Sequence, residues 1–498
     1  MILSIFLSLL TAWIIYIWGN AVYLIAPKQH GTLDGFFYKY IIGFCFLTFF
    51  ANALTIVTGT DNWWVQICLF IPVIFLKRSA LYPKFNIFIP QGISLQTSIF
   101  ALLGFLVMAS IHAWEIRHPD TLTYQNQLIG ISKLGSHPAG IIKIKDQLGL
   151  GGSYFSLAGL FSYPIILNKV ITFANLALAG VFVLFLSIKL NNAILKKQTI
   201  LSIIIIFTLL ICFFEYTFLR LSVNSASPDT PAAIIGLSTF LYYLKKNKRG
   251  WVLMLLSMTA VTLKLSLAPI LLLPIFYLAR SFNIYKGITI ILVGLIIISP
   301  FLFKNIKSTG YLIYPIAISK VKNASYTPER MDVQNVADYI KAYARTTSAT
   351  RKKEDLENIL NMPFREWGLR WWQEMSWPGR IMLFSFLASI CLMACLIVIN
   401  EKKNWEYLTY LAVVIFGFIF WLNFAPAIRF GSAFLLAPLF FLIDSGVLKQ
   451  LQNKISIPIV LSKLLIIIVC LVLLVYTAYR MIYFMDTSSL LIPKGPVG

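Results

Sequence analysis

Acid is what this sequence has least of. Its 498 residues include 19 Asp and Glu against 42 Lys and Arg, and charged residues of both signs make up only 12%. A soluble domain carries roughly 25%, so a water-facing surface of ordinary extent is excluded. Histidine is scarcer still: there are four, and none stands at ligand spacing from a Cys or another His. The six cysteines, Cys45, Cys68, Cys212, Cys391, Cys395 and Cys470, all lie inside apolar runs, with none in the long polar segments. That pattern argues against a disulfide framework and against a zinc site. A compact basic domain is missing too. The net charge of +23 is scattered over short loops such as Lys245-Lys246-Asn247-Lys248-Arg249, so nucleic acid is not an expected partner.

What the chain has instead is apolar length: 59% of its residues are hydrophobic. Backbone groups in lipid must be satisfied within the segment, so each long apolar run predicts a helix. Fourteen candidate spans run from 2–25 to 459–484, several of them shorter than the ~20 residues of a full crossing. The expected fold class is an all-α polytopic membrane protein with about 14 transmembrane helices. The first run, ILSIFLSLLTAWIIYIWGNAVYLI, has no basic leader and reads as a retained span.

Orientation follows from the Lys and Arg bias of short loops. Lys77, Arg78 and Lys84; Lys189, Lys196 and Lys197; the KKNKR loop; Arg280 and Lys286; Lys402 and Lys403; Lys449 and Lys454 all fall on one side if the spans alternate. The opposite side receives two long segments, 115–167 and 304–379, and the turns NSASPDT and NFAP. Four parts result: three N-terminal spans in 1–93, a core in 94–303 with its first outer loop at 115–167, a large outer loop at 304–379, and four spans in 380–498. The large loop predicts two short soluble helices, in MDVQNVADYIKAYAR and KKEDLENIL. WGLRWWQEMSWP follows them, with four tryptophans suited to a membrane interface.

Ionisable residues gather where spans end on the long-loop side. WEIRHPDTLTYQNQ puts Glu115, Arg117, His118 and Asp120 within six residues at a span exit. Pro119 disfavours helix at His118, and Asp120 reads either as an N-cap for the next helix or as a site carboxylate. SPDTP holds Asp229 between prolines, with Arg220 shortly before it; here too a helix cap and a site acid are both open. Lys264 interrupts the apolar stretch VTLKLSLAP and needs either a partner or a route to the interface. Arg429, in APAIRF, is either an interfacial anchor or a phosphate clamp. KSTGYLIYP, Lys307 to Pro315, is a turn whose aromatics can pack on a lipid or a sugar.

In this order the pieces resemble the GT-C superfamily of polytopic glycosyltransferases, most of all a group of bacterial membrane proteins that share its core. The resemblance runs over roughly residues 94 to 446. PDTLTYQNQL and QLGLGGSYFSLAGLFS are similar to that group's first-loop signature, SASPDTPA to its second outer turn, KSTGYLIYP to an element opening a later loop, and APAIRF to a late Pro-x-x-Arg-Phe element. The resemblance implies a GT-C-like bundle and a sugar donor carried on polyprenyl phosphate. It implies inverting transfer to an extracytoplasmic glycan or lipid acceptor. Asp120 is then the expected base and Glu115 its acidic neighbour, with a divalent cation, Mg or Mn, as an optional cofactor. Arg429, Lys264 and Arg220 would meet the phosphate, while Asp229 and Tyr124 complete the substrate contacts. The expected location is a bacterial inner membrane with the long loops facing the periplasm or exterior. A flippase for a lipid-linked glycan and an inactive envelope scaffold are the rival readings.

Overall fold

A computed structural model describes residues 1–24, 33–76, 95–114, 116, 118, 120–163, 171–214, 222–281, 283–346, 352–399, 405–445, 448 and 459–484. The described chain is helical, with no β-strand among these residues. The bundle helices are α1 (Ile2–Leu24), α2 (Leu33–Val57), α3 (Leu95–His112), α4 (Ala174–Leu195), α5 (Thr199–Phe214) and α6 (Asp229–Tyr243). They continue as α7 (Gly250–Leu263), α8 (Leu272–Ser281), α9 (Ile284–Thr309), α10 (Trp377–Ile399), α11 (Trp405–Phe424), α12 (Ile428–Asp444) and α13 (Ile459–Phe484). Six of them, α1, α2, α4, α9, α10 and α11, are long and apolar enough to cross a membrane by length and composition.

The helices sort into an inner and an outer set. Every residue of α6 is buried, as are nearly all of α12 and α7. By contrast α9, α10, α11 and α13 turn Ile291, Leu295, Phe384, Phe416, Ile419 and Leu471 outward. Apolar surface on that scale is an anomaly in water and a requirement in lipid. The chain is a membrane protein on this ground. Hydroxyls on the inner helices turn back on their own backbone: Ser187 donates to Val183 O, Ser238 to Ile234 O and Ser257 to Leu253 O, at 2.7–2.8 Å. These three hydroxyls are thereby paired where water is absent. Helices α1 and α2 meet at two glycines. A Cβ on Gly19 would lie 1.8 Å from Lys39 O, and one on Gly43 2.0 Å from Ile15 O, so only hydrogen fits there.

Three stretches differ from the sequence expectation. The run at 64–76 forms two short helical pieces, Trp63–Cys68 and Ile71–Phe75, with Trp63, Ile74 and Phe75 exposed. At 1.5 Å per residue neither piece nor both together spans a bilayer. The segment 115–167 is not all loop: its helix Tyr154–Leu160 is buried along its whole length and packs back against α2. Finally α9 runs on to Thr309, which draws Lys304 out of the outer loop and into a buried helix turn.

The long segment 304–379 does form helices at Arg330–Arg345, Lys353–Asn361 and Phe364–Glu374. Ala342, Leu356 and Ile359 make a small core between the first two. Arg345 donates to the Ile359 and Leu360 carbonyls at 3.2 and 2.9 Å, closing the end of the second. Lys189, Lys245, Lys248 and Arg280 meet two acids at the other end of the bundle, while Lys77, Arg78, Lys84, Lys402, Lys403, Lys449 and Lys454 lie outside the described residues. There Asp444 accepts Lys189 at 2.7 Å and Lys245 at 3.0 Å, and Glu406 accepts Lys248 at 2.7 Å.

Candidate functional site

At the long-loop end the structure brings together Asp120, Asp229, Lys264 and Arg429, with His118 beside them. Arg429 Nη1 donates to Asp120 Oδ2 at 2.8 Å and lies 3.8 Å from Asp229 Oδ2. Lys264 Nζ is paired with Asp229 Oδ1. The same ammonium sits 3.7 Å above the Phe430 ring, a cation–π contact in a place with little water. His118 Nε2 stands 3.5 Å from Arg429 Nη1.

Each member is held by its own local device. The chain leaves α3 and turns through a wide π-helical turn, Thr121–Gln125, closed by Thr121 Oγ1 donating to Gln125 Oε1 at 2.6 Å. Such turns re-aim side chains that a regular helix would point elsewhere. Asp120 makes no cap bond; its carboxylate goes to Arg429 instead. Asp229 opens α6 from a turn pinned by Asn175, whose Nδ2 reaches the carbonyls of Ser222, Ser225 and Ser227 at 2.8–3.1 Å. Lys264 is the apex of a hairpin between α7 and the 3₁₀ turn Leu265–Leu271, so it lies at a helix end and not within a span. Arg429 follows Pro426 in the first turn of α12. Trp371 Nε1 donates to Pro426 O at 2.6 Å, Trp421 Nε1 to Ala427 O at 2.8 Å, and Ser266 Oγ to Phe430 O at 3.0 Å. Gly431 makes room for the Trp421 indole: a Cβ would be 2.7 Å from it.

The electrostatics are balanced. Two carboxylates face two cations, and burial pushes the pKa of His118 down. Asp229 and Asp120 pull that pKa upward, Arg429 and Lys264 press it further down, and burial outweighs them. Tyr124 is close enough to feel the charges of Asp120 and Arg429; burial is the main cause that raises its pKa. Asp120 is the most open member, its side chain 31% exposed against 7% for Asp229. Helices α6 and α12 both begin here, and their N-terminal N–H groups add positive potential.

The residues present do not fit a divalent cation. Asp120 and Asp229 are already committed to Arg429 and Lys264, and no group of three His, Cys, Asp or Glu side chains converges at metal distance among the described residues. Glu115 and Arg220 lie outside the described residues.

Sequence reasoning missed three participants. His118 was in view but had no assigned role, Phe430 stood in the APAIRF element without a role of its own, and Asn175 gave no signal at all. It also missed a second buried cation. Lys304 Nζ donates to Asn52 Oδ1 at 3.0 Å and to Ser156 Oγ at 2.7 Å. Nearby, His137 Nε2 is 2.6 Å from Ser308 Oγ. Extending the apolar period ISPFLFKNIK by one helical turn was the available clue.

No curated protein and no solved structure matches the chain. A family model matches residues 1–436, a stretch that takes in every member of the ion cluster. The chain belongs to that family, described as Domain of unknown function (DUF8201).

Proposed function

We propose that this is a GT-C-like glycosyltransferase with about 14 spans, seated in a bacterial inner membrane with its long loops outside. It moves a sugar from a polyprenyl phosphate to a glycan or lipid acceptor of the envelope. One observation carries the reading: residues 309 positions apart in sequence, Asp120 and Arg429, are joined at 2.8 Å where two helix N-termini and a second cation also point.

The neutrality of the cluster sets the mechanism. An incoming lipid phosphate competes with Asp120 for Arg429, and the bidentate guanidinium suits it. Losing Arg429 leaves the Asp120 carboxylate free to accept a hydrogen bond from the acceptor hydroxyl. The acceptor hydroxyl oxygen then attacks the anomeric carbon from the face opposite the phosphate. Its proton passes to Asp120 as the carbon–phosphate oxygen bond breaks, and the bonding pair leaves on the phosphate. Arg429 and Lys264 hold that developing charge. Asp229 keeps Lys264 aimed, and Tyr124 lies beside the attacking group. Donor binding thereby releases the base from its ion pair.

The second reading, an inactive scaffold, draws on the same neutrality: four paired charges also make a clamp between the first outer segment, α6, the α7 hairpin and α12. Purified protein given a panel of polyprenyl-phosphate sugars separates the two. The transferase turns over one of them, and Asp120→Asn lowers that turnover by about 10²–10⁴-fold while the protein stays folded in the membrane. Full activity in Asp120→Asn removes this residue from the chemistry, and turnover of no donor favours the clamp.

A further inference from the structure

Away from the ion cluster, the two long segments meet in an open groove of about 460 Å³. None of the five cluster residues lines it. Its floor is apolar: Ile142 from the first segment is buried with Tyr314 and Val333 from the second. One wall is Tyr326, and the reason it stands there is Gly140. That glycine has φ +66°, and a Cβ on it would lie 2.6 Å from Tyr326 Cγ. The chain beside Tyr326 is tied down by Tyr311, whose hydroxyl donates to Pro328 O at 2.9 Å. Tyr326 keeps its own hydroxyl buried with no partner among the described residues. Tyr339 forms part of the lining, and Asp146, Asp332 and Asn335 supply short polar groups, with Lys143 the one cation among the lining residues.

We infer that this groove binds a short neutral oligosaccharide. A sugar ring has an apolar C–H face and a rim of hydroxyls. Half-buried tyrosine rings meet the face. Carboxylates and a side-chain amide accept from the rim. Two lining carboxylates face one lining ammonium, and with the Lys322 ammonium 5.6 Å over the Tyr326 ring the charges balance, which gives a phosphate or an anionic headgroup no net attraction. The volume is that of a small-molecule site. KSTGYLIYP, which has no place at the ion cluster, supplies Tyr314 to the floor. The inference goes beyond the transferase reading and holds for a scaffold that grips glycan equally well.

The experiment reads binding, not turnover. Full-length protein is placed in lipid nanodiscs, because a maltoside detergent would itself present a sugar. Saturation-transfer NMR is then run with maltotriose, cellotriose, chitotriose and mannotriose. At least one trisaccharide is expected to receive saturation. Asp332 and Asn335 are exposed, so Asp332→Asn with Asn335→Ala leaves the fold intact; it is expected to weaken that binding about tenfold. Asp120→Asn is expected to bind as the wild type does. No transfer to any trisaccharide overturns the inference, and so does unchanged affinity in the double variant. Binding of glycerol 3-phosphate in place of the sugars overturns it in favour of an anionic occupant. A failed search for donor turnover leaves this result untouched, and the reverse is also true.

Discussion

Asp444 and Asp229 each hold a lysine at one end of the bundle, but in different company. Asp444 accepts two lysines, Lys189 and Lys245, whose side chains are 18% and 26% exposed. Glu406 nearby takes Lys248 and, at 3.6 Å, the largely exposed Arg280. Cations outnumber acids there, and their stems can slide toward water. Around Asp229 the count is even, although the two acids are equally sealed, each side chain 7% exposed. The first arrangement tolerates change because a second lysine stays with the acid when one is lost. The second tolerates it less, since the cation left to Asp229 is Arg429, which Asp120 already holds. A membrane protein can therefore use the same residue types as an outer belt and as an inner, conditional site.

The contrast can be broken by substitution. Lys264→Met strands Asp229 with only Arg429 at 3.8 Å. A loss of about 3–5 kcal/mol is expected, read as thermal unfolding in nanodiscs; a wild-type melting temperature would erase the distinction between the two ends. Acid should act next, and at the long-loop end. His137 is buried and lies near Lys304 and Lys307, which together hold its pKa down to about 3 from the ordinary 6.5. The folded state therefore binds fewer protons than the unfolded one. The stability this gives is complete above pH 6.5 and falls as pH drops toward 3, by about 1.4 kcal/mol per pH unit. His137→Gln should flatten that part of the stability–pH curve; an unaltered slope assigns the acid sensitivity elsewhere. The smallest change belongs to the belt. Asp444→Asn should cost less than Lys264→Met, because the two lysines it leaves are 18% and 26% exposed and can turn to water, and a cost equal to that of Lys264→Met would make the two ends alike.

Much of this was legible before any coordinates. Apolar run length gave the helical class, and the Lys and Arg bias gathered at one end the loops whose residues meet at Asp444 and Glu406. Asp120, Asp229, Lys264 and Arg429 were each visible as an ionisable residue near the end of an apolar run, where a charge needs a reason. That Asp120, Asp229 and Arg429 come together was expected; which acid holds which cation was not legible, because it depends on how α6, the α7 hairpin and α12 cross. Position alone also favoured helix caps, since Asp and Ser before a helix look the same whether or not the side chain turns back. Lys304 was illegible for a different reason. One polar residue near a span boundary moves the apparent boundary, so the lysine was assigned to the loop that it in fact precedes. The burial of Tyr154–Leu160 escaped because a seven-residue helix is too short to announce a face.

The distance in sequence between the two halves of the ion cluster also bears on how the chain is made. Asp229 and Lys264 are 35 residues apart and can find each other soon after synthesis. Asp120 waits 309 residues for Arg429. A polypeptide that stalls or is cut anywhere in that interval carries an acid at the bilayer rim with no counter-ion to dock against. Closure of the rim therefore waits for α12, and a molecule without α12 is marked by its own charge.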